Sequence, residues 1–291
     1  MQNHTIKLPD GRELGYGEYG KHGGTALLLF HGTPGSRVFG RFDGADWIDA
    51  AGLRIVTPER PGYGLSSPAP RRRIADWAAD VEALADQLGI DRFHVAGGSG
   101  GGPYALACAL RLPSRVQSAT LFSSGGPPEV MRLSKDMQGG NRIAFFAARY
   151  APLLLKALTS MTANAIRKQP QQYLRKLKAQ LPESDRALMD DGTLERTMMQ
   201  LTEAYRQGGD GAYRDMRLVS QPWGLDLGTI TVPVFLWHGE ADNLVPVATA
   251  RAFADMIPGC ESHFITDAGH QLLGDDRIRA QMIARMLAVH A

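Results

Sequence analysis

The chain has 291 residues, 44% of them apolar, and a formal net charge of +2. That length accommodates one large α/β domain with an insertion, or two small domains, around a sizeable core. The near-neutral charge excludes a strong global pull toward nucleic acid. Two cysteines, Cys108 and Cys260, are too few for a disulfide framework, and no apolar run is long enough to span a bilayer.

The amino terminus, Met1-Gln2-Asn3-His4, lacks the basic and apolar regions of a signal peptide. A cytoplasmic protein with reduced thiols and no stable membrane insertion is therefore expected. Ile6 to Leu8 and Glu13 to Tyr19 flank Pro9-Asp10-Gly11 and read as a hairpin. Thr25 to Phe30 and Arg54 to Thr57 read as strands. From Ile74 to Leu88 the apolar residues recur at helical spacing, Ile74, Trp77, Ala78, Val81, Leu84, Ala85 and Leu88 forming one face. A strand over 93–96, a helix over 103–111 and a strand from Val116 to Phe122 follow. After Pro127-Pro128 helical patterns run to about Gly228. Strand signal returns at Val232 to Trp237, then a helix near Val247 to Met256, a strand from Ser262 to Ile265 and a helix from Leu272 to Val289.

Strands alternating with helices predict an α/β fold: a mostly parallel twisted sheet with helices on both faces. The helical stretch that interrupts the alternation reads as an inserted cap, residues 127–228, within a core made of residues 1–126 and 229–291.

The most informative stretch is Gly97-Gly98-Ser99-Gly100-Gly101, between strand 93–96 and the helix after it. Strand, G-x-S-x-G, helix is the setting of a nucleophile elbow. A serine at so sharp a turn needs its neighbours at 97 and 101 to lack side chains. A phosphate-cradling loop fits less well, because Pro103 interrupts both glycine-rich phosphate patterns.

A nucleophilic serine needs a base, a group that orients the base, and oxyanion donors, all at the carboxyl ends of strands. His31-Gly32-Thr33-Pro34-Gly35 follows strand 25–30 and offers the Thr33 backbone N–H as one oxyanion donor, with Gly100 N–H as the second. Asp242 follows strand 232–237 and fits the orienting acid, with Glu240 as local rival. His270 follows the last strand and fits the base. The order Ser99, Asp242, His270 is the one expected for this architecture.

Together these segments resemble the α/β-hydrolase family over nearly the whole chain. His31-Gly32-Thr33-Pro34-Gly35 is similar to the family's oxyanion turn. Glu59-Arg60-Pro61-Gly62-Tyr63-Gly64-Leu65-Ser66 is similar to its D-x-x-G-x-G-x-S loop, with Glu59 for the usual Asp, and is expected to shape the wall of the site. Gly239-Glu240-Ala241-Asp242 with Val245-Pro246, and Gly269-His270, resemble the acid and base loops. Serine at 99 points away from the family's epoxide hydrolases and haloalkane dehalogenases, which use a carboxylate. Gly98 is similar to the elbow of proline iminopeptidases, although Thr33 replaces the middle glycine of their H-G-G-P-G turn.

The resemblance implies a serine esterase acting on a small-molecule substrate, with no organic cofactor and no metal; the chain also carries no zinc-ligand spacing. An aminopeptidase, a carbon–carbon bond hydrolase and a ligand sensor on the same scaffold stay open, and a homodimer is compatible with the composition. An aminopeptidase would need a cap carboxylate for the substrate amine, for which Glu183, Glu195 and Glu203 are available. Met198-Met199, Tyr205 and Trp223 could line an acyl pocket but read more simply as core residues, with no substrate role assigned to them. The segment Met131 to Lys178 is rich in Arg and Lys and poor in acids, with apolar runs Ile143-Ala144-Phe145-Phe146 and Leu153-Leu154-Leu155. It predicts cap helices whose apolar faces roof a pocket and whose basic faces meet water; attraction of anionic substrates or of an acidic lipid surface is the sharper alternative.

Overall fold

A computed structural model describes residues 3–41, 46–131 and 133–290. Met1, Gln2 and Ala291, at the ends of the expected core, and Arg132, in the basic stretch, lie outside the described residues.

Strands β1 (His4–Lys7) and β2 (Glu13–Gly20) form the expected antiparallel hairpin, turned at Gly11, whose φ of 87° suits glycine. The chain then alternates through β3 (Thr25–Phe30), α1 (Asp46–Ala50), β4 (Leu53–Pro58), α2 (Trp77–Gln87), β5 (Phe93–Gly98), α3 (Gly102–Arg111) and β6 (Val116–Phe122). Six α-helices follow among the described residues: α4 (Gly139–Tyr150), α5 (Pro152–Lys168), α6 (Pro170–Gln180), α7 (Glu183–Ala187), α8 (Asp191–Ala204) and α9 (Asp210–Val219). The alternation resumes with β7 (Val234–Gly239), α10 (Val247–Ala254), β8 (Glu261–Ile265) and α11 (Asp276–Leu287).

One eight-stranded sheet results, in the order β1-β2-β4-β3-β5-β6-β7-β8. β2 pairs with both β1 and β4 antiparallel; from β4 to β8 every pairing is parallel. Successive residues of the inner strands therefore serve opposite faces. Leu28 and Phe30 of β3 join the core under α2, α3 and α10, whereas Leu27 and Leu29 join the core under α1 and α11. Both faces being covered explains why β3 to β7 read as near-continuous apolar runs rather than as alternation.

Most boundaries shift by a residue or two, and three differences from the sequence reading have a clear physical reason. β7 starts at Val234 rather than Val232, because Pro233 has no N–H to give the ladder; its carbonyl accepts from the Ala119 N–H at 2.9 Å instead. The expected helix from Leu272 to Val289 is broken into a short 3-10 turn, Leu272–Gly274, and α11, because the Asp275 side chain accepts from the Ile278 N–H at 3.0 Å and caps a new helix. The five-residue α1 has too few turns to show periodicity and carried no signal of its own.

Candidate active site

β5 runs straight into a single 3-10 turn, Ser99–Gly101, and then into α3. Ser99 has φ 51°, a left-handed conformation that a serine holds only when its surroundings impose it. The bend closes this tightly because its flanks lack side chains. A Cβ on Gly97 would lie 2.5 Å from the Gly101 carbonyl oxygen.

The loops after β7 and β8 bring Asp242 and His270 together. His270 Nδ1 lies 2.7 Å from Asp242 Oδ2. The other carboxylate oxygen accepts from the Leu244 and Val245 N–H groups at 2.8 and 2.9 Å, so Asp242 is fixed in orientation. Glu240, its rival in the sequence, points to the surface and pairs with Arg251 at 2.5 Å. Burial by itself would push the Asp242 carboxyl up; the neighbouring His270 outweighs it and holds the group below its ordinary value. Burial likewise would depress the His270 imidazole, but Asp242, helped by Asp185, raises it above its ordinary value. An Nδ1–H directed at the carboxylate leaves Nε2 as the basic nitrogen.

The backbone of His270 is gripped from two sides. Its N–H donates to Asp185 Oδ2 at 2.9 Å, and the next N–H, of Gln271, donates to Asp185 Oδ1 at 2.9 Å. Ser123, at the end of β6, donates its hydroxyl to the His270 carbonyl at 2.8 Å. Asp185 comes from α7, 85 residues upstream of His270, and no local pattern in the sequence announced it.

The turn after β3 lies against the elbow. A Cβ on Gly32 would be 3.4 Å from Ser99 Cβ, and one on Gly100 would be 3.3 Å from the Thr33 nitrogen and closer still to Thr33 Oγ1. Both expected oxyanion donors thus belong to backbone beside Ser99. Behind this turn sits a charge cluster built on the fully buried Arg60 and Asp215. Arg60 donates to the carbonyls of His31 (2.5 Å) and Gly32 (2.8 Å) and to Asp215 Oδ2 at 2.7 Å. Asp215, from α9, also accepts from Thr33 Oγ1 (3.2 Å), Tyr104 OH (2.8 Å) and Arg72. Burial would raise its carboxyl, yet the Arg60 and Arg72 guanidiniums drive it far below the usual carboxylate range. His31 goes the other way: burial, reinforced by Arg60, keeps it neutral, well below its ordinary value.

Ser99, Thr33, Gly100 and His270 all line one cavity of about 270 Å³. Its walls come from the strand ends and from α4, α6, α8 and α9: Phe122, Phe145, Leu177, Leu201, Met216 and Trp223 are among them. No Lys, Arg, Asp or Glu is found among the described residues of the lining. Trp223 is both a buried core residue and part of this wall; Met198 and Met199 line a separate groove, and Tyr205 packs against Tyr63, Ala204 and Ala212. The Glu59–Ser66 loop does not form the wall expected of it. None of these residues is in the described lining, and the loop's contribution is Arg60, bracing the turn after β3 from behind. Glu59 is spent internally, accepting from Arg37 Nη1 and the Leu65 N–H, each at 2.7 Å.

Residues 25–276 match the alpha/beta hydrolase fold family, and the chain belongs to it. Among its relatives, the dihydrolipoyllysine-residue acetyltransferase component of the acetoin cleaving system of Pseudomonas putida is 30% identical over 282 residues, 94% of this chain. The chain spans 66% of that component's length. A 2-hydroxy-6-oxononadienedioate/2-hydroxy-6-oxononatrienedioate hydrolase of Dechloromonas aromatica is 26% identical over 263 residues, covering 89% of this chain and 84% of the relative. In structure, a thermophilic esterase from Thermogutta terrifontis superposes with a TM-score of 0.70 at 22% identity, over 100% of both chains, a likeness of fold. No helix among the described residues is long and apolar enough to cross a membrane.

Proposed function

We propose that the protein is a serine hydrolase that cleaves a carboxylic ester of a small or medium, uncharged, apolar substrate, with Ser99 as nucleophile, His270 as base and Asp242 as its orienting acid. In this reading residues 127–228 are a cap that roofs the site, set into a core of residues 1–126 and 229–291. The observation that carries it is a cavity holding Ser99 and the Asp242-bound His270 within walls that present no charged side chain among the described residues.

His270 Nε2 takes the Ser99 proton as the hydroxyl oxygen attacks the acyl carbon. The Thr33 and Gly100 N–H groups receive the negative charge on the carbonyl oxygen, and Asp242 balances the imidazolium. Collapse expels the alcohol, which takes the proton from His270. Water, activated by the same nitrogen, then releases the acid and frees Ser99.

The cavity argues against the two rival enzymes. The name of the Dechloromonas relative describes a dicarboxylate, and a carboxylate buried here would meet no Lys or Arg among the described residues of the lining. An aminopeptidase needs an anion at the substrate amine. Glu203 is engaged by Arg37 at 2.7 Å and Arg206 at 2.9 Å, Glu195 lines the separate groove, and Glu183 is exposed. On a panel of p-nitrophenyl esters, proline naphthylamide and a 2-hydroxy-6-oxo-dienedioate, kcat/KM is expected to favour an uncharged ester by on the order of a hundredfold or more. Preference for the amide or the dianion overturns the ester reading. Absence of turnover on all of them, with a ligand still bound, would identify a sensor.

The base acts only when neutral, so activity is lost as pH falls through the His270 pKa. Because Asp242 and Asp185 raise that pKa, the acid limb of kcat/KM is expected above the ordinary imidazole value of 6.5. In Asp185→Asn the limb moves to lower pH. A pH–rate profile of both proteins checks the sign.

A further inference from the structure

The structure splits the two apolar runs of the basic segment between opposite faces. On α4, Phe145 lines the cavity while Ile143, Phe146 and Tyr150 face outward. On α5, Leu155 is buried, while Leu153 is 83% exposed and Leu154 and Met161 also face outward. Apart from Leu133 and Met256, these six are the large apolar side chains exposed among the described residues. The outward faces of these helices thus carry large apolar side chains beside the expected basic ones. Helical phase puts Ile143, Phe146 and Tyr150 on one stripe, with Arg142 and Arg149 on the same side. The Phe146 and Tyr150 rings are 5.3 Å apart, and Arg149 lies over Tyr150.

The charge that α4 and α5 themselves bring to this apolar face is of one sign. Between Met137 and Pro182 the sequence has eight Lys and Arg and no Asp or Glu. Arg142, Arg149, Lys156, Arg167 and Lys168 are all exposed on α4 and α5. Asp210 of α9 approaches Lys156, at 3.9 Å.

We propose that the outer face of α4 and α5 docks the protein on an anionic lipid surface. Bulky apolar side chains standing among cations on two adjoining helices are what an interfacial helix presents: the apolar groups enter the headgroup–acyl boundary and the cations meet lipid phosphates. A second copy of the chain fits poorly, because a two-fold contact would lay these cations against their own equivalents with no acid on either helix to answer them. Docking leaves the inner face of α4 on the cavity, so it needs no rearrangement of the site. The proposal does not rest on the catalytic reading.

The test is co-sedimentation with vesicles of phosphatidylcholine with and without phosphatidylglycerol, for the full chain and for Phe146→Ser/Leu153→Ser. Binding is expected to the anionic vesicles at low salt, to weaken in high salt, and to fall roughly tenfold or more in the variant. The variant's circular dichroism and its hydrolysis of a water-soluble ester should match the parent, which separates lost docking from lost folding. No binding to anionic vesicles, equal binding to neutral ones, or binding indifferent to the apolar substitutions overturns the proposal. So does a dimer of the parent that the variant abolishes while vesicle binding is absent, since a second copy would then cover the face.

Discussion

Ser99→Ala is expected to lower kcat by roughly a millionfold while leaving the melting temperature close to that of the parent. In the proposed mechanism the loss is that large because serine, base and acid act as one unit: without the hydroxyl, His270 has no proton to take and the oxyanion donors have no covalent adduct to hold. What survives is the smaller acceleration that binding and the oxyanion turn give to direct attack by water. The variant should also resist labelling by a fluorophosphonate that modifies the parent stoichiometrically. The fold should tolerate the change, since the φ of 51° at position 99 is imposed by packing of the elbow rather than by the hydroxyl. Circular dichroism, burst kinetics and labelling on one preparation decide the matter; full turnover by the variant would remove Ser99 from the mechanism.

Asp215→Ala is expected to be the most damaging substitution for stability. Asp215 is fully buried and neutralises Arg60 and Arg72, themselves buried. Removing the carboxylate strands two guanidiniums away from water, at a cost of about 3–5 kcal/mol. For a chain of this size that lowers Tm on the order of 10 °C. Because the folded carboxyl lies below its ordinary value of 3.8, its contribution is complete at neutral pH and is lost as pH falls from there through the depressed value. Adding Arg60→Met and Arg72→Met to Asp215→Ala should recover much of the Tm, since the stranded charges then disappear. Activity should stay low, because Arg60 no longer braces the carbonyls of His31 and Gly32. Differential scanning calorimetry of both variants distinguishes stranded charge from a simple cavity, which the further substitutions would not repair.

The sheet, the turn at Ser99 and the loops that carry Asp242 and His270 were legible because each is written locally. Apolar strands end on glycine-rich punctuation, and the chemistry of this fold falls at those ends. Asp242 could be preferred to Glu240 only by analogy; the structure separates them by what each touches. Asp185 and Asp215 were invisible for a different reason. Each is one acid in an ordinary helical pattern, and its partners lie 85 and 155 residues away. A buried charge looks like a solvated one until tertiary contacts close around it. The runs at 143–146 and 153–155 failed in a third way: adjacent apolar residues on a helix point in different directions, so a run does not say which face it serves.

The helices between β6 and β7 are fastened to the strands beneath them at three separated points: Glu203 to Arg37, Asp215 to Arg60 and Arg72, and Asp185 to the peptide groups of residues 270 and 271. Lifting them as a flap would break at least the middle attachment, at about 3 kcal/mol or more, leaving a raised state below about one per cent of molecules. These helices and the strand ends below them are therefore expected to move together. With the helices held down, admission to the cavity is expected to depend on rotation of side chains in its lining, such as Phe145 and Met216, rather than on a hinge.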